Sequence, residues 1–201
     1  MEKVFVVRLT EAERLELDAM VRKGKGSALS IARARILLKA DQGKDGESAT
    51  DAEIAKALSV AAKTVFNVRR RWVEEGLEAA LDHLAGQGFQ FAVCTNKLEW
   101  LSKRLLNQLG MTGRFAAICG ADTFGVAKPD PVILQQTLAQ AGGHLATAIM
   151  VGDAGPDVGV ARQAGIPVIG VEFGYTDVPI AELKPDRLIG HFRELPEAVQ
   201  G

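Results

Sequence analysis

The stretch IMVGDAGPDVGVARQAGIPVIGV, Ile149 to Val171, sets the fold class of this chain. An apolar run reaches Gly152-Asp153, Asp157 follows four residues on, a helical pattern covers Asp157–Ala164, and a second apolar run begins at Pro167. Strand, acidic turn, helix, strand is the unit of a parallel sheet covered by helices, in which ligands sit beyond the carboxyl ends of the strands. Two carboxylates one helical turn apart suit a hard cation with oxygen ligands, and Mg²⁺ is the expected ion.

The same rhythm extends toward the N-terminus. FQFAVCTN reads as a strand, Leu98–Leu109 as a helix, FAAICGAD as a strand, Pro131–Gln140 as a helix, ATAIMVGD as a strand and PVIGVEFG as the last one. Thr95-Asn96-Lys97 ends the first of these, where a hydroxyl and the N–H groups of a following helix can hold phosphoryl oxygens. Lys128, in GVAKPDP between Pro129 and Pro131, brings positive charge to the same strand ends. Taken singly, each residue has a plainer role: Thr95 as a strand-end cap, Lys128 as a solvated charge, Asp153 and Asp157 as helix N-terminal caps.

The first 80 residues read differently. Val4–Leu9 is a short β-branched run, and Thr10 with Glu13 offers a capping box that starts a helix. A second helix spans Ala28 to Ala40 with Leu29, Ala32, Ile36 and Leu37 on one face. In Thr50 to Leu77, Thr50 and Glu53 form another capping box, LSV supplies a turn, and a longer helix runs from Ala61 to about Glu75, closed by Gly76. Short helix, tight turn and longer basic helix is the helix-turn-helix pattern. Val65, Val68 and Trp72 then face inward, leaving Lys63, Thr64, Asn67, Arg69, Arg70 and Arg71 toward solvent or a phosphate backbone.

Composition bounds these readings. The chain has 201 residues, 47% hydrophobic and 24% charged, enough for one α/β domain or two small ones. Lys and Arg outnumber Asp and Glu by 15 to 13 over residues 1–78 and are outnumbered 9 to 12 over 79–201. Basic residues Arg22, Lys23, Lys25, Arg33, Arg35 and Lys39 fall in an interval free of acids, between Asp18 and Asp41. No run approaches a membrane span and the N-terminus has no secretory pattern, so a cytoplasmic protein without a membrane partner is expected. Cys94 and Cys119 sit in apolar runs and read as small buried hydrophobes; His83, His144 and His191 show no ligand spacing and read as surface residues.

Two resemblances follow. VRLTEAERLELDAMVRKGK, ARARILLKAD and TDAEIAKALSVAAKTVFNVRRRWVEEGLEAAL resemble the N-terminal DNA-binding region of mariner-like insertion-sequence transposases, without that family's catalytic acidic domain. AVCTNKLEWLSKRLLNQLG, GADTFGVAKPDPVIL, VGDAGPDVGVARQAGIPVIGVEFGY and LKPDRLIGHFRELPEAV resemble the C-terminal part of haloacid dehalogenase superfamily phosphatases, nearest to the phosphoglycolate phosphatases. The second resemblance implies Thr95 and Asn96 as phosphoryl contacts, Lys128 as charge stabiliser, Asp153 as a Mg²⁺ ligand, and Asp157 as a further ligand or a support for its water. It also implies an attacking aspartate in an Asp-x-Asp pattern after four apolar residues, and no Asp-x-Asp occurs in the 201 residues.

The expected architecture is an incomplete α/β, parallel-sheet, haloacid-dehalogenase-like (Rossmannoid) core at 81–201 with an all-α helix-turn-helix domain at 1–80. Losing the segment that carries the attacking aspartate removes the central strand and leaves two buried edges unpaired. One expectation is that Val4–Leu9 fills the slot, with Arg8 in the nucleophile's place and Thr10 in the acid/base place. The other is that residues 4–9 stay with the helices and the gap is closed by a second chain, in a homo-oligomer, or shielded. Three functions are compatible: a Mg²⁺-dependent phosphatase-like protein for a small phosphorylated molecule with low or no activity, a DNA-binding regulator whose α/β half senses a phospholigand or dimerises, and a recombined or designed chimera joined near Ala79–His83.

Overall fold

The computed structural model describes residues 5–24, 26–174, 176 and 178–200. Val4, Lys25 and Tyr175, which figure in the sequence reading, lie outside the described residues. The chain forms two compact units, residues 1–79 with 190–193 and residues 80–189 with 194–201.

In the first unit, helix α1 (Glu11–Lys23) begins at the expected capping box of Thr10 and Glu13. Helix α2 (Ala28–Ala40) is capped by Ser27 and buries Ala34, Ile36, Leu37 and Ala40. Its inward face is rotated from the expected one, because Leu29 is 61% exposed. Helix α3 (Asp51–Leu58) starts at the Thr50–Glu53 capping box and ends at Ser59, whose φ of 54° turns the chain toward helix α4 (Ala62–Gly86).

Helix α4 does not close at Gly76. A Cβ at that position would lie 2.6 Å from Cε1 of His191, so the glycine is required for close approach of that ring and not as a cap. His191 is correspondingly buried, unlike His83 and His144, which are exposed as expected. The core of this unit gathers Val7, Leu9, Ile36, Leu37, Ala40, Ile54 and Val65, with Val68 and Trp72 packed against them.

Val7 decides between the two expectations for the N-terminal run. It forms a parallel bridge with Asp41, its carbonyl accepts the Gln42 N–H at 2.8 Å, and the Leu9 N–H donates to Oδ1 of Asp41 at 3.1 Å. Thr10 is occupied as the cap of α1. The run is thus tied to the end of α2, and the placement of Arg8 and Thr10 in a phosphatase sheet is corrected: a buried carboxylate within its own unit already satisfies this backbone.

The second unit is α/β. Strands β1 (Ala92–Cys94) and β2 (Ala117–Cys119) pair in parallel, Val93 opposite Ile118. Strands β3 (Met150–Gly152), β4 (Val168–Val171) and β5 (Arg187–Ile189) form a second parallel sheet in that order. Helices α5 (Glu99–Gln108), α6 (Pro131–Gln140), α7 (Gly155–Ala164) and the short α8 (Leu195–Gln200) complete it. The core joins Ile133 and Leu134 of α6, Val158, Val160 and Ala161 of α7, Met150 of β3 and Val168 of β4, with Cys94 of β1 packed against them.

Among the described residues β1 pairs only with β2, and β3 only with β4. The expected interruption of the sheet is therefore present. Its mark is visible in burial: β2 and β4 are buried throughout, whereas all three residues of β1 are only half-buried. No helix among the described residues is long and apolar enough to cross a membrane.

Candidate phosphate site at the carboxyl ends of β1 and β3

β1 delivers Thr95. Its N–H continues the ladder by donating to the Cys119 carbonyl at 3.0 Å, and its hydroxyl oxygen accepts the Lys97 N–H at 3.2 Å. The hydroxyl proton stays available for an acceptor, since the oxygen uses a lone pair in that bond.

The Asn96 side chain bonds to the Lys128 backbone. Its Oδ1 accepts the Lys128 N–H at 2.8 Å and its Nδ2 donates to the Lys128 carbonyl at 3.0 Å. The amide thereby holds the loop before α6 by its backbone at Lys128. That loop contains a cis peptide between Lys128 and Pro129 and enters α6 through Asp130, whose Oδ1 accepts the Val132 N–H at 2.9 Å.

Lys128 Nζ donates to Oδ1 of Asp157, with the two side chains 9% and 7% exposed. Oδ2 of Asp157 accepts the N–H groups of Asp153 and Ala154, each at 3.1 Å. Both plain roles foreseen for Asp157 and Lys128 fall short: the aspartate does satisfy the turn before α7, but it also neutralises a buried ammonium. Such a pair must be retained whole, because removing one partner leaves an uncompensated buried charge.

Gly152 makes this geometry possible. A Cβ there would collide with the Cβ and carboxylate of Asp157, so β3 must end in glycine for the carboxylate to reach back over the turn. Asp153 is half-buried beyond the strand end. Among the described residues no group of three or more His, Cys, Asp or Glu side chains is arranged to hold a metal ion.

Sequence reasoning missed the hydrogen bonds that tie the start of α5 to the turn after β2. The Glu99 N–H donates to Oδ1 of Asp122 at 2.7 Å, the Thr123 hydroxyl donates to the Glu99 carboxylate, and the Gly120 N–H donates to the Thr123 hydroxyl at 2.8 Å. Hydrogen bonds from Lys103, then from Thr123, hold the Glu99 carboxyl below its ordinary pKa. The signal was the GADT turn after the second strand, whose Asp and Thr are typical of side chains that bond nearby backbone.

On α4, Lys63, Thr64, Asn67, Arg70 and Arg71 are exposed, but Arg69 is 2% exposed. Its guanidinium pairs with Asp51 and donates to the Phe5 carbonyl, which removes it from any outward-facing set. Arg70 and Arg71 face Glu74 and Glu75 at 3.6 and 2.5 Å.

Comparison with known proteins places this geometry. Residues 33–171 match the family profile of haloacid dehalogenase-like hydrolases. The phosphoglycolate phosphatase of Agrobacterium fabrum is 48% identical over 124 residues, 62% of this chain and 53% of that protein. The chain thus spans about half the length of that curated relative. The phosphoglycolate phosphatase of Rhodospirillum rubrum is 36% identical over 181 residues, 87% of this chain and 73% of the relative. A crystal structure of a predicted phosphoglycolate phosphatase from Haemophilus somnus has the same fold, with a TM-score of 0.58 at 22% identity, covering 94% of this chain and 90% of that one. Two expectations change. The profile match begins at Arg33 and takes in α3 and α4, the stretch assigned to a transposase-like half. Coverage of 87% by a single relative also carries the similarity across the supposed join at Ala79–His83.

Proposed function

The chain belongs to the haloacid dehalogenase-like hydrolase family, and from that premise we propose that its second unit binds a small phosphorylated molecule in the manner of a phosphoglycolate phosphatase. The observation that carries this reading is the buried Lys128–Asp157 pair, held by Asn96 on one side and by the N–H groups of Asp153 and Ala154 on the other. An ammonium has three donors, and one is used on Asp157, which leaves two for phosphoryl oxygens. The Thr95 hydroxyl supplies a further donor at the end of β1.

Asp157 is committed to Lys128 and the turn, and Asp153, half-buried just beyond the end of β3, is the carboxylate that would face a cation at the strand end. This donor set fits Mg²⁺, which commonly takes one or two carboxylates and completes its shell with water and substrate phosphate. When bound, the ion neutralises phosphate charge as a Lewis acid. Asp157 acts by holding Lys128 and the turn that carries Asp153. The covalent step of the family has no Asp-x-Asp to perform it in these residues, so binding with weak or no turnover is the expected behaviour.

Titration calorimetry with inorganic phosphate and Mg²⁺, alongside assays with phosphoglycolate and an aryl phosphate, tests both parts. Phosphate binding lost in Lys128→Met and Mg²⁺ dependence lost in Asp153→Ala are expected, with turnover far below the roughly 10 s⁻¹ of an ordinary enzyme. Robust turnover abolished by Asp153→Ala would remove the claim of weak activity and leave the site standing. Absence of phosphate binding would remove the site.

A second reading, that α3 and α4 grip DNA, draws on the Ser59 turn and on the exposed Lys63, Thr64, Asn67, Arg70 and Arg71. Backbone contact of this kind weakens steeply with salt. Mobility shifts at two salt concentrations, with Arg70→Ala and Arg71→Ala, test it, and retention of DNA regardless of those variants argues against it.

A further inference from the structure

Cys94 and Cys119 are the only cysteines of the chain, both are free, and they are direct partners in the β1–β2 ladder. Residues paired across parallel strands place their side chains on the same face. Cys119 Sγ lies 3.5 Å from Oε1 of Gln140 on α6, and Cys94 packs against the core that contains Ile133 and Leu134 of the same helix, an independent sign that both thiols face α6. Neighbouring strands run about 4.8 Å apart, inside the roughly 4.4–6.8 Å of Cα separation that a disulfide spans. Cys94 is half-buried and Cys119 fully buried, so a small oxidant meets Cys94 first.

We propose that Cys94 and Cys119 form a reversible dithiol–disulfide site, closed by hydrogen peroxide, that clamps β1 to β2 directly beneath Thr95. In the first step the Cys94 sulfur attacks a peroxide oxygen: an S–O bond forms, the O–O bond breaks, and the departing hydroxide leaves as water with the thiol proton. In the second the Cys119 sulfur attacks the Cys94 sulfur: the S–S bond forms, the S–O bond breaks, and a second water leaves with the Cys119 proton. The two sulfurs together lose two electrons and the peroxide is reduced to two waters. Burial raises both thiols above their ordinary pKa, so the resting pair is protonated and closure is slow, each step proceeding through the small fraction of thiolate. The bond reopens by exchange with a thiol reductant, which supplies the two electrons and returns both cysteines to the thiol form.

The test treats the full chain with hydrogen peroxide, then unfolds it, alkylates it with iodoacetamide and measures intact mass. A monomer two hydrogens lighter, carrying no alkyl group and recovering two after dithiothreitol, is expected; Cys94→Ala and Cys119→Ala each abolish it. Amide exchange at Thr95, whose N–H donates to the Cys119 carbonyl, is expected to slow in the oxidised protein. Full alkylation after peroxide, oxygen addition without cross-linking, a bond only between molecules, equally fast closure in urea, or unchanged exchange at Thr95 would each overturn the proposal. Peptide mapping of the oxidised wild type keeps it testable should either variant fail to fold.

Discussion

His191 shows how one side chain can make a unit sensitive to acid. Its ring is 3% exposed and packs 6.1 Å from Trp72, its Nδ1 accepts the Arg193 N–H at 3.1 Å, and its Nε2 is buried with no partner among the described residues. Burial lowers its pKa, Glu13 pulls it partly back, and Arg193 adds a smaller push downward. The folded value then lies below the unfolded one of about 6.5, so the unfolded chain binds more protons in the interval between them. Stability contributed by the neutral ring is fully present above about pH 6.5 and is lost as pH falls through that interval. Thermal unfolding followed from pH 7.5 to pH 5.5 is expected to show a falling midpoint, with a shallower fall in His191→Gln. Nothing near His191 in the sequence announces this burial, because its cause is a glycine more than a hundred residues away on α4.

Among elements, α4 gathers the clearest contrast. Three arginines in a row look equivalent in sequence, yet helical geometry turns Arg69 inward while Arg70 and Arg71 remain on the surface. Arg69→Ala leaves Asp51 without its cation and the Phe5 carbonyl without its donor, and a loss of about 3 kcal/mol is expected. Arg71→Ala is expected to change stability by less than about 0.5 kcal/mol, as exposed ion pairs usually do. Urea denaturation of the two variants measures the difference. Caps and turns were readable because they are local: Thr10 with Glu13 and Thr50 with Glu53 are complete within four residues. Which of three arginines is buried depends on Asp51 and Phe5, and no local pattern specifies that.

At the scale of the molecule, the alternation of strands and helices from residue 84 onward was legible, and so was the break that divides the described strands into two sheets. The destination of residues 5–9 was not, since apolar β-branched residues suit either unit and the deciding partners, Asp41, Gln42 and Arg69, lie far along the chain. The break has a measurable consequence. Among the described residues β4 is flanked by β3 and β5, whereas β1 has one neighbour, so amides of Ile169–Val171 are expected to exchange far more slowly than those of Ala92–Cys94. Equal protection of the two strands, measured by hydrogen exchange, would show that something covers the open edge. A related consequence attaches to the turn that follows β3. With no room for a methyl group opposite the aspartate that neutralises Lys128, position 152 admits a single amino acid: a saturation library there, screened for folded protein, should return glycine alone.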